Sequence, residues 1–437
     1  MMVTSLHHSP GSTLPGGASV GSLVLRSPAY VHVISPSQLS SVCDACLATP
    51  NVVDNVPPTQ LLRCSRCKQS YYCNSQCQRM AWPIHQEECK YLKRIQPRTP
   101  PSIVRLILRT AFKHRKDPDY RETLPDGTSR GLTDLKMHKE EISASAGRSE
   151  AFSNFLQVIQ ACVGNIFPAQ VLFELYCRLL INSTEITDLM GQSLGTGLYL
   201  GLSAVDHSCD PNVNVVFTNN MVELRALSAL PEWSEVRISY LTSVLPRRMR
   251  RARLEEAYYF TCQCCQCRGE EDGLCEGSLL CQTCQAPVGI QQDKCPTCGR
   301  ESENDYQSGA EIFLQDNLDD CQLIKAHRLL KKKFHVYDHR MFEFSERTMA
   351  ACLNEEEFKK FYEIGESLLP AYRRYFSPKS VSFGLHLAKL AKMAIYLDRR
   401  EEALNYLSQS SDIFKVSHGP NSAMMSYMMC VRQTVPL

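Results

Sequence analysis

Paired cysteines are the sequence feature that most limits what this chain can fold into. The 437 residues include 22 cysteines, most of them in Cys-x-x-Cys pairs within two blocks, residues 43–89 and 262–298. Thiolates two residues apart can bind one metal ion across a tight turn, and this usage is typical of metal sites rather than of disulfide frameworks. The pairs therefore predict zinc sites and a reducing compartment.

The first block offers enough ligands for two tetrahedral zinc sites. Interleaved ligands would cross-brace a segment that has too few aliphatic residues to fold on its own core. The predicted sets are Cys43, Cys46, Cys73 and Cys77 for one ion, and Cys64, Cys67, His85 and Cys89 for the other. Because each set already supplies four protein ligands, both sites are predicted to be structural.

The second block contains two further ligand sets. A Cys-x-Cys-x-x-Cys motif leaves a tetrahedral site one ligand short, and an isolated cysteine far upstream is the natural fourth. This set is Cys262, Cys264, Cys267 and Cys209. Two later pairs with ribbon-like spacing predict another four-thiolate site, with a metal-free cysteine loop as the alternative. That set is Cys281, Cys284, Cys295 and Cys298.

Outside these blocks the hydrophobic pattern predicts both helices and strands. Apolar residues near 3.6-residue spacing predict mostly helical structure over 101–182. Short β-prone runs at 213–217, 222–226 and 236–240 predict a small antiparallel sheet. From residue 310 onward, small residues at regular positions beside large ones predict antiparallel helix pairs of tetratricopeptide type.

Several motifs resemble those of one known family. Tyr71-Tyr-Cys-Asn-Ser-Gln-Cys-Gln with Trp82-Pro-x-His85 is similar to the MYND finger. Asp206-His-Ser-Cys-Asp-Pro-Asn212 resembles the first SET signature, and Glu235-Val-Arg-Ile-Ser-Tyr240 resembles the second. With the later cysteines and the helical tail, these motifs follow the order found in SET and MYND domain-containing lysine methyltransferases. The resemblance covers roughly residues 17–437.

The resemblance implies an α+β fold with several parts. These are a SET-type β-sheet core with an inserted MYND zinc finger, a helical insert, a post-SET zinc region and an all-α, tetratricopeptide-like C-terminal domain. The implied segments are 1–42 for the start of the SET domain, 43–89 for the finger, 90–194 for the helical insert, 195–260 for the SET core, 261–300 for the post-SET region with its ribbon-like extension, and 310–437 for the C-terminal domain. A polar linker is expected at 299–308.

The implied activity is S-adenosylmethionine-dependent methylation of lysine in histone or other proteins. Methyl transfer from a sulfonium to an amine is an in-line displacement, and an apolar aromatic channel favours it by lowering the pKa of the lysine. By resemblance, Tyr240 is the catalytic tyrosine, and Tyr258 and Phe260 line the lysine channel. The residues implied to contact the donor are His138, Asn182, Asp206, His207, Tyr240 and Phe260.

Three positions differ from the family pattern. Residues 11–21 lack the usual Gly-x-Gly motif and its strand context, which suggests either an altered first strand or a late start of the chain. Asp206 replaces the usual asparagine, and Thr184 replaces an aromatic residue. These differences leave an alternative open, a non-catalytic MYND and SET adaptor in transcriptional or chromatin regulation whose donor binding is weak or lost.

Charge and hydropathy narrow the range of partners. With 48 basic and 46 acidic residues, the whole chain has no signature of a nucleic-acid binder. The basic runs 246–253 and 331–333 suit a solvated face, or local contact with nucleic acid or an acidic surface. We expect a monomer with no membrane segment or signal peptide, located in nucleus and cytoplasm. By resemblance, its partners are a lysine-bearing protein and a proline-rich peptide at the finger.

Overall fold

The structure is a computed structural model that describes residues 13–49, 60–302, 306–315 and 317–435. Parts of two predicted segments, residues 11–12 of the first loop and 303–305 of the linker, therefore lie outside the described residues. Internal contacts divide the chain into two compact units. Their described residues fall within 13–206, 212–238 and 257–259 for the first unit, and within 207–211, 239–256 and 260–435 for the second.

The first unit contains short strands that pair locally. The strands that begin in it are β1 (Thr13–Ala18), β2 (Leu23–Pro28), β3 (Val31–Ile34), β4 (Leu62–Arg63), β5 (Tyr71–Tyr72), β6 (Arg121–Thr123), β7 (Ser129–Gly131), β8 (Ser183–Thr187), β9 (Ser193–Leu198), β10 (Asp206–His207), β11 (Val213–Thr218), β12 (Met221–Ala226), β13 (Leu230–Glu232) and β14 (Arg237–Ile238). The two largest sheets have the orders β11-β12-β2 and β3-β9-β8, and all their pairings are antiparallel.

The predicted sheet is confirmed for two of its three runs. β11 and β12 form a hairpin in which Val213 pairs with Ala226, and β12 continues into pairing with β2. The third run was wrongly assigned, because only β14 is a strand there and it pairs with β10. The reason is Asn212, whose side chain donates to the Glu235 carbonyl at 2.7 Å and accepts from the Arg237 N–H at 2.8 Å. These bonds attach the run to the residue before β11 through a side chain, in place of a regular strand ladder.

A strand near the start of the chain corrects the expectation of lost strand context. β1 pairs antiparallel with β13, with an irregular register between its two ends. Gly17 has a φ of 69°, a conformation that glycine adopts at little cost. Glycine at position 17 therefore allows residues 13–18 to form β1, although their sequence departs from the family motif.

Helices supply most of the core of the first unit. They are α1 (Ser75–Arg94), α2 (Ser102–Lys116), α3 (Lys139–Ala144), α4 (Ala146–Val163) and α5 (Ala169–Asn182). Leu106, Ile107 and Leu108 of α2 are almost fully buried, in one cluster with residues of α4 and α5. The helical prediction over 101–182 is confirmed, with the β6–β7 hairpin as an interruption.

The second unit is mainly helical. Its helices are α6 (Arg247–Tyr258), whose last two residues group with the first unit, α7 (Cys265–Arg268), α8 (Gln307–Ala310), α9 (Asp320–Leu330), α10 (His339–Asn354), α11 (Phe358–Tyr375), α12 (Val381–Tyr396), α13 (Arg400–Ser417) and α14 (Ala423–Gln433), and a hairpin is formed by β15 (Ser278–Leu280) and β16 (Pro287–Gly289). From α9 onward each helix packs against the next. This arrangement confirms the predicted helix pairs.

Small residues allow these helices to approach closely. A Cβ atom added at Gly384 of α12 would lie 2.8 Å from the Phe414 ring of α13, and one at Gly365 of α11 would lie 2.7 Å from Leu390 of α12. Ala388, Ala391 and Ala394 are buried on the same helix α12. Among the residues that the structure describes, no helix is both long and apolar enough to cross a membrane.

Candidate metal centres and active site

The eight predicted ligands of the first cysteine block gather in the two predicted sets. Within each set, all ligand atoms lie within 4.8 Å of one another. The Sγ atoms of Cys46 and Cys73 are 3.6 Å apart, and those of Cys64 and Cys89 are 3.8 Å apart. Four sulfurs bound to zinc at about 2.3 Å would be separated by roughly 3.8 Å, so both sets fit a tetrahedral zinc ion.

His85 is oriented for its role by a buried carboxylate. Its Nε2 atom faces the Sγ atoms of Cys64 and Cys67 at 3.5 and 3.6 Å. Its Nδ1 atom lies 3.5 Å from Oε2 of Glu88, which is fully buried. A carboxylate on the second nitrogen fixes the tautomer and ring orientation of a metal-bound histidine. Sequence spacing gave no sign of this role for Glu88.

Two arginines of α2 surround that carboxylate. Arg105 bonds Glu88 at 2.8 Å, and Arg109 bonds both Glu88 and Asp44, the latter at 2.7 Å. Asp44 directly follows the ligand Cys43, so the four charges connect α2 to both ligand sets. Burial alone would raise the pKa of Glu88, but Arg105 and Arg109 outweigh it and hold the pKa well below its ordinary value. All four groups are therefore charged at neutral pH.

The upstream cysteine joins the Cys-x-Cys-x-x-Cys motif, as predicted. Cys209 Sγ lies 3.6 Å from that of Cys267 and 4.0 Å from that of Cys262, and all four sulfurs, including that of Cys264, lie within 4.8 Å of one another. Cys265 points elsewhere, with its Sγ 3.8 Å from a carboxylate oxygen of Asp210. The spacing argument therefore chose the correct thiols.

The basic run is helical and binds the loop that carries these thiols. Arg251 donates to the Cys267 carbonyl at 2.9 Å, and Arg247 donates to the Gly269 carbonyl at 2.7 Å. Arg250 pairs with Glu271 at 3.1 Å and lies 4.0 Å from the Cys267 sulfur. Four thiolates around a divalent ion leave net negative charge, which these arginines offset. Much of the run is thus occupied within the protein.

His207 links the thiol cluster to Tyr240. Its Nδ1 atom accepts the backbone N–H of Tyr240 at 3.0 Å, so the proton of the neutral ring is assigned to Nε2. That nitrogen lies 3.3 Å from the sulfur of Cys209. Burial, followed by the charge of Arg250, lowers the pKa of His207 to about 4. The neutral ring therefore connects the metal-binding thiol to the backbone of Tyr240.

Three predicted site residues of the second unit form one aromatic group. The ring centroids of His207 and Tyr240 are 5.3 Å apart, and those of His207 and Phe260 are 6.0 Å apart. Tyr240 and Phe260 meet edge-on at 6.4 Å with an interplanar angle of 90°. Such a group presents aromatic faces and a phenol hydroxyl to the same small region.

The remaining predicted site residues lie in the first unit. Asn182 ends α5, and its amide group donates to the carbonyls of Lys136 and Arg178 at 2.8 and 2.7 Å. It thereby braces the segment that leads to His138. Because the amide nitrogen of Asn182 is used in these two bonds, its side-chain carbonyl oxygen is the atom that can contact a ligand. Asp206 begins β10 and is partly buried. Tyr258 lies at the end of α6, and burial raises the pKa of its hydroxyl.

Tyr259 is a residue that the sequence reasoning missed. Its ring lies 5.0 Å from that of His138, and Arg148 donates to its hydroxyl while covering its face. Its φ of 59° is unusual for a bulky residue and turns the chain between Tyr258 and Phe260. The run of three aromatic residues in the sequence was the available signal.

Comparison with known proteins agrees with this geometry. The model of the MYND finger family matches residues 43–89. Human histone-lysine N-methyltransferase SMYD3 is 26% identical over 407 residues, which cover 93% of this chain and 90% of the relative. The zebrafish (Danio rerio) N-lysine methyltransferase SMYD2-B is 24% identical, with 92% and 90% covered. Arabidopsis thaliana histone-lysine N-methyltransferase ASHR1 is 24% identical, with 93% and 88% covered.

The finger and the similarity over more than nine-tenths of the chain support the SET and MYND domain-containing methyltransferase family that the sequence motifs predicted. The α+β fold that was expected from the resemblance is confirmed, with a finger, small sheets and a helical C-terminal part. The finger and the cysteine clusters also support the predicted zinc.

Proposed function

We propose that this chain is an S-adenosylmethionine-dependent protein lysine N-methyltransferase that acts on histone or other proteins. The observation that carries the proposal is the bond from the Tyr240 backbone to His207, beside the Cys209 thiol cluster. The rings of Tyr240 and Phe260 meet edge-on beside this bond, 6.4 Å apart. The MYND finger and the methyltransferase relatives named above support the same reaction.

The residues of this group suit methyl transfer to an amine. The donor supplies a methyl group on a positively charged sulfur, so the chain must bring a neutral amine into line with it. Aromatic rings at Tyr240, Phe260 and Tyr258 would exclude water from a lysine ammonium and lower its pKa. Hydroxyl and carbonyl oxygens would then orient the amine. We propose Tyr240 and Tyr258 as the catalytic residues on these grounds.

We propose that the donor is contacted by the predicted set of six residues. Three belong to the aromatic group of the second unit, His207, Tyr240 and Phe260. Three belong to the first unit, His138, Asn182 and Asp206. We further propose three zinc ions, two in the finger and one at Cys209, because each of these ligand sets has the separation that tetrahedral zinc requires.

We also propose the predicted domain division and partners. A cleft of about 470 Å³ on the finger itself, lined by Gln60, Leu61, Leu62, Arg63 and Tyr71, supports docking of a proline-rich peptide. Arg248 and Arg253 of the basic helix are exposed and support nucleic-acid contact. We propose a monomer that works in nucleus and cytoplasm, with the segments 1–42, 43–89, 90–194, 195–260, 261–300 and 310–437 as its parts.

Substitution Tyr240→Phe tests the proposal directly. Loss of the hydroxyl should lower the rate of methyl transfer to histone or other protein substrates by roughly 10²-fold or more, since one positioned polar group contributes on this scale. Tyr396→Phe is the matched control, because Tyr396 is 66% exposed on α12. Equal rates for Tyr240→Phe and the parent would refute the catalytic assignment.

Donor binding is tested separately by thermal unfolding with S-adenosylmethionine and with its demethylated product. A ligand that binds the folded protein raises the melting temperature by mass action. A rise is expected at millimolar ligand. No rise would favour the adaptor alternative over the enzyme.

A further inference from the structure

The last four cysteines of the second block form a thiol cluster in a segment of the second unit, residues 278–299, which we call the ribbon. The sulfurs of Cys281 and Cys298 are 3.6 Å apart, and those of Cys284 and Cys295 are 3.5 Å apart. All four lie within 4.8 Å of one another. These separations match those of the finger and of tetrahedral zinc.

The ribbon also repeats the turn geometry of the finger. In the finger, the N–H groups of Leu47 and Lys68 each donate at 2.9 Å to the carbonyl of the cysteine four residues earlier. In the ribbon, Gln285 and Gly299 donate to Cys281 and Cys295 at the same distance. All four donor residues have φ between 54° and 71°. Two independent turns thus have the shape that brings paired thiols to one ion.

The ribbon has too few apolar residues to fold without help. Its own buried cluster consists of Cys281, Val288 and Cys295, with Ala286 packed against them. A lone two-stranded hairpin such as β15–β16 is marginally stable in water. A bound metal ion supplies the missing free energy in small domains of this kind.

One edge of the ribbon pairs with the connection between α9 and α10. The Leu280 N–H donates to the Lys333 carbonyl at 2.8 Å, and the His335 N–H donates to the Ser278 carbonyl at 2.9 Å. Leu279 and Phe334 form an antiparallel bridge between these two bonds. The connection therefore acts as a short third strand of the ribbon.

Side chains strengthen this pairing. Leu279 and Phe334 share a buried cluster with Phe313 and Phe344, and the Phe334 and Phe313 rings are 4.9 Å apart. Asp338, which caps α10, also accepts the Ser278 N–H at 3.3 Å and the hydroxyl of Tyr306. The contacts join the hairpin to both helices, α9 and α10.

We propose that the ribbon binds a further zinc ion, in addition to those of the finger and the Cys209 cluster, and that this ion holds β15 where it pairs with residues 333–335. The zinc would replace the thiol protons of the four cysteines. Through β15 it would fix the first helix pair, α9 and α10, to the chain that follows Cys267. The proposal is independent of the methyl-transfer chemistry.

Zinc content of the full chain tests the metal. The parent protein should carry four zinc ions per chain by plasma mass spectrometry, and Cys298→Ser should carry three. Cys321→Ser is the matched control, because Cys321 is exposed and belongs to no ligand cluster in the described part of the chain. It should keep four. Three ions in the parent, or no loss in Cys298→Ser, would overturn the proposal.

Alkylation of the unmodified protein tests the metal without any substitution. Cys298 and Cys321 are both exposed, so both thiols are accessible to N-ethylmaleimide. Zinc-bound Cys298 should react at least roughly tenfold more slowly than Cys321 until a chelator is added. Equal rates before chelation would count against the metal.

Hydrogen exchange tests what the ion holds. In Cys298→Ser, exchange at the Leu280 and His335 amides should rise roughly tenfold or more, while the Leu47 and Lys68 amides of the finger stay unchanged. Phe334→Ala should raise the same two rates and keep all four zinc ions. Unchanged exchange at Leu280 and His335 after zinc loss would overturn the docking role.

Discussion

The finger and the ribbon use the same Cys-x-x-Cys turns but differ in what surrounds them. In the finger, Glu88 is fully buried and orients His85, while Arg105 and Arg109 attach it to α2. The ribbon has only thiol ligands, one of them the exposed Cys298, and it is supported by backbone pairing and by an apolar cluster. Local spacing sets the metal geometry in both, and long-range partners decide what each site stabilises.

Of the substitutions that test this difference between the finger and the ribbon, Arg109→Ala should cause the largest loss of stability. It leaves Asp44 and Glu88 buried without a shared cation, and breaking a buried ion pair in this way costs about 3–5 kcal/mol. Urea denaturation measures the loss. Arg121→Ala, which removes an exposed pair with Asp134, should cost under about 1 kcal/mol. Similar losses for both variants would mean that buried charge does not support the finger.

The ribbon should respond to pH through Asp338. Burial raises the pKa of Asp338 to about 6 from 3.8, so the folded state binds the proton more tightly than the unfolded state. Its contribution to stability is therefore full below pH 3.8 and is lost as pH rises through about 6. The free energy of unfolding of Asp338→Asn, relative to that of the parent, should thus increase by on the order of 1 kcal/mol as the pH rises from 5 to 7.5.

Denaturation of both proteins across this pH range measures the effect. Asp412→Asn is the control, because the Asp412 side chain is 69% exposed. It should follow the parent at every pH. A flat difference between Asp338→Asn and the parent would contradict the prediction. Glu88 in the finger has the opposite shift, so its contribution is lost only in more acidic solution.

The shared turn itself should give the smallest effect. Gly299 has a φ of 71°, and a Cβ added there meets nothing within 4 Å. Gly299→Ala therefore isolates backbone strain and should cost about 1 kcal/mol. The cost should appear as easier zinc removal by a chelator. Gly147→Ala in α4 also meets nothing within 4 Å and should be neutral or slightly stabilising. Equal zinc retention in both variants would show that backbone strain at residue 299 does not weaken zinc binding.

Much of the metal chemistry could be predicted from the sequence. Pairs such as Cys64 and Cys67 lie on one short turn, so their spacing alone determines which thiols can share an ion. The interleaved sets followed from the need to brace a finger with little core. Likewise, β-prone runs predicted β11 and β12, and small residues such as Ala388 predicted close helix pairs.

Other features depended on contacts between distant parts of the chain. Asn212 bonds the backbone at Glu235 and Arg237, which reduced the predicted strand before Tyr240 to two residues. The role of Arg105 and Arg109 became visible only when the structure placed Glu88 and Asp44 beside them. Hydrophobic periodicity cannot reveal such partners. It indicates which face of a helix or strand is buried but not which residues pack against that face.

The sequence by itself therefore predicted the family, the cysteines that cluster and most of the helices and strands, because these depend on spacing within a few residues. Only the tertiary structure decided that His207 connects Cys209 to Tyr240, that Glu88 orients His85, and that the ribbon takes residues 333–335 as a third strand. The physical reason is that hydrogen bonds and buried charges require partners at close distance. Chain folding supplies those partners from positions that the local pattern does not connect.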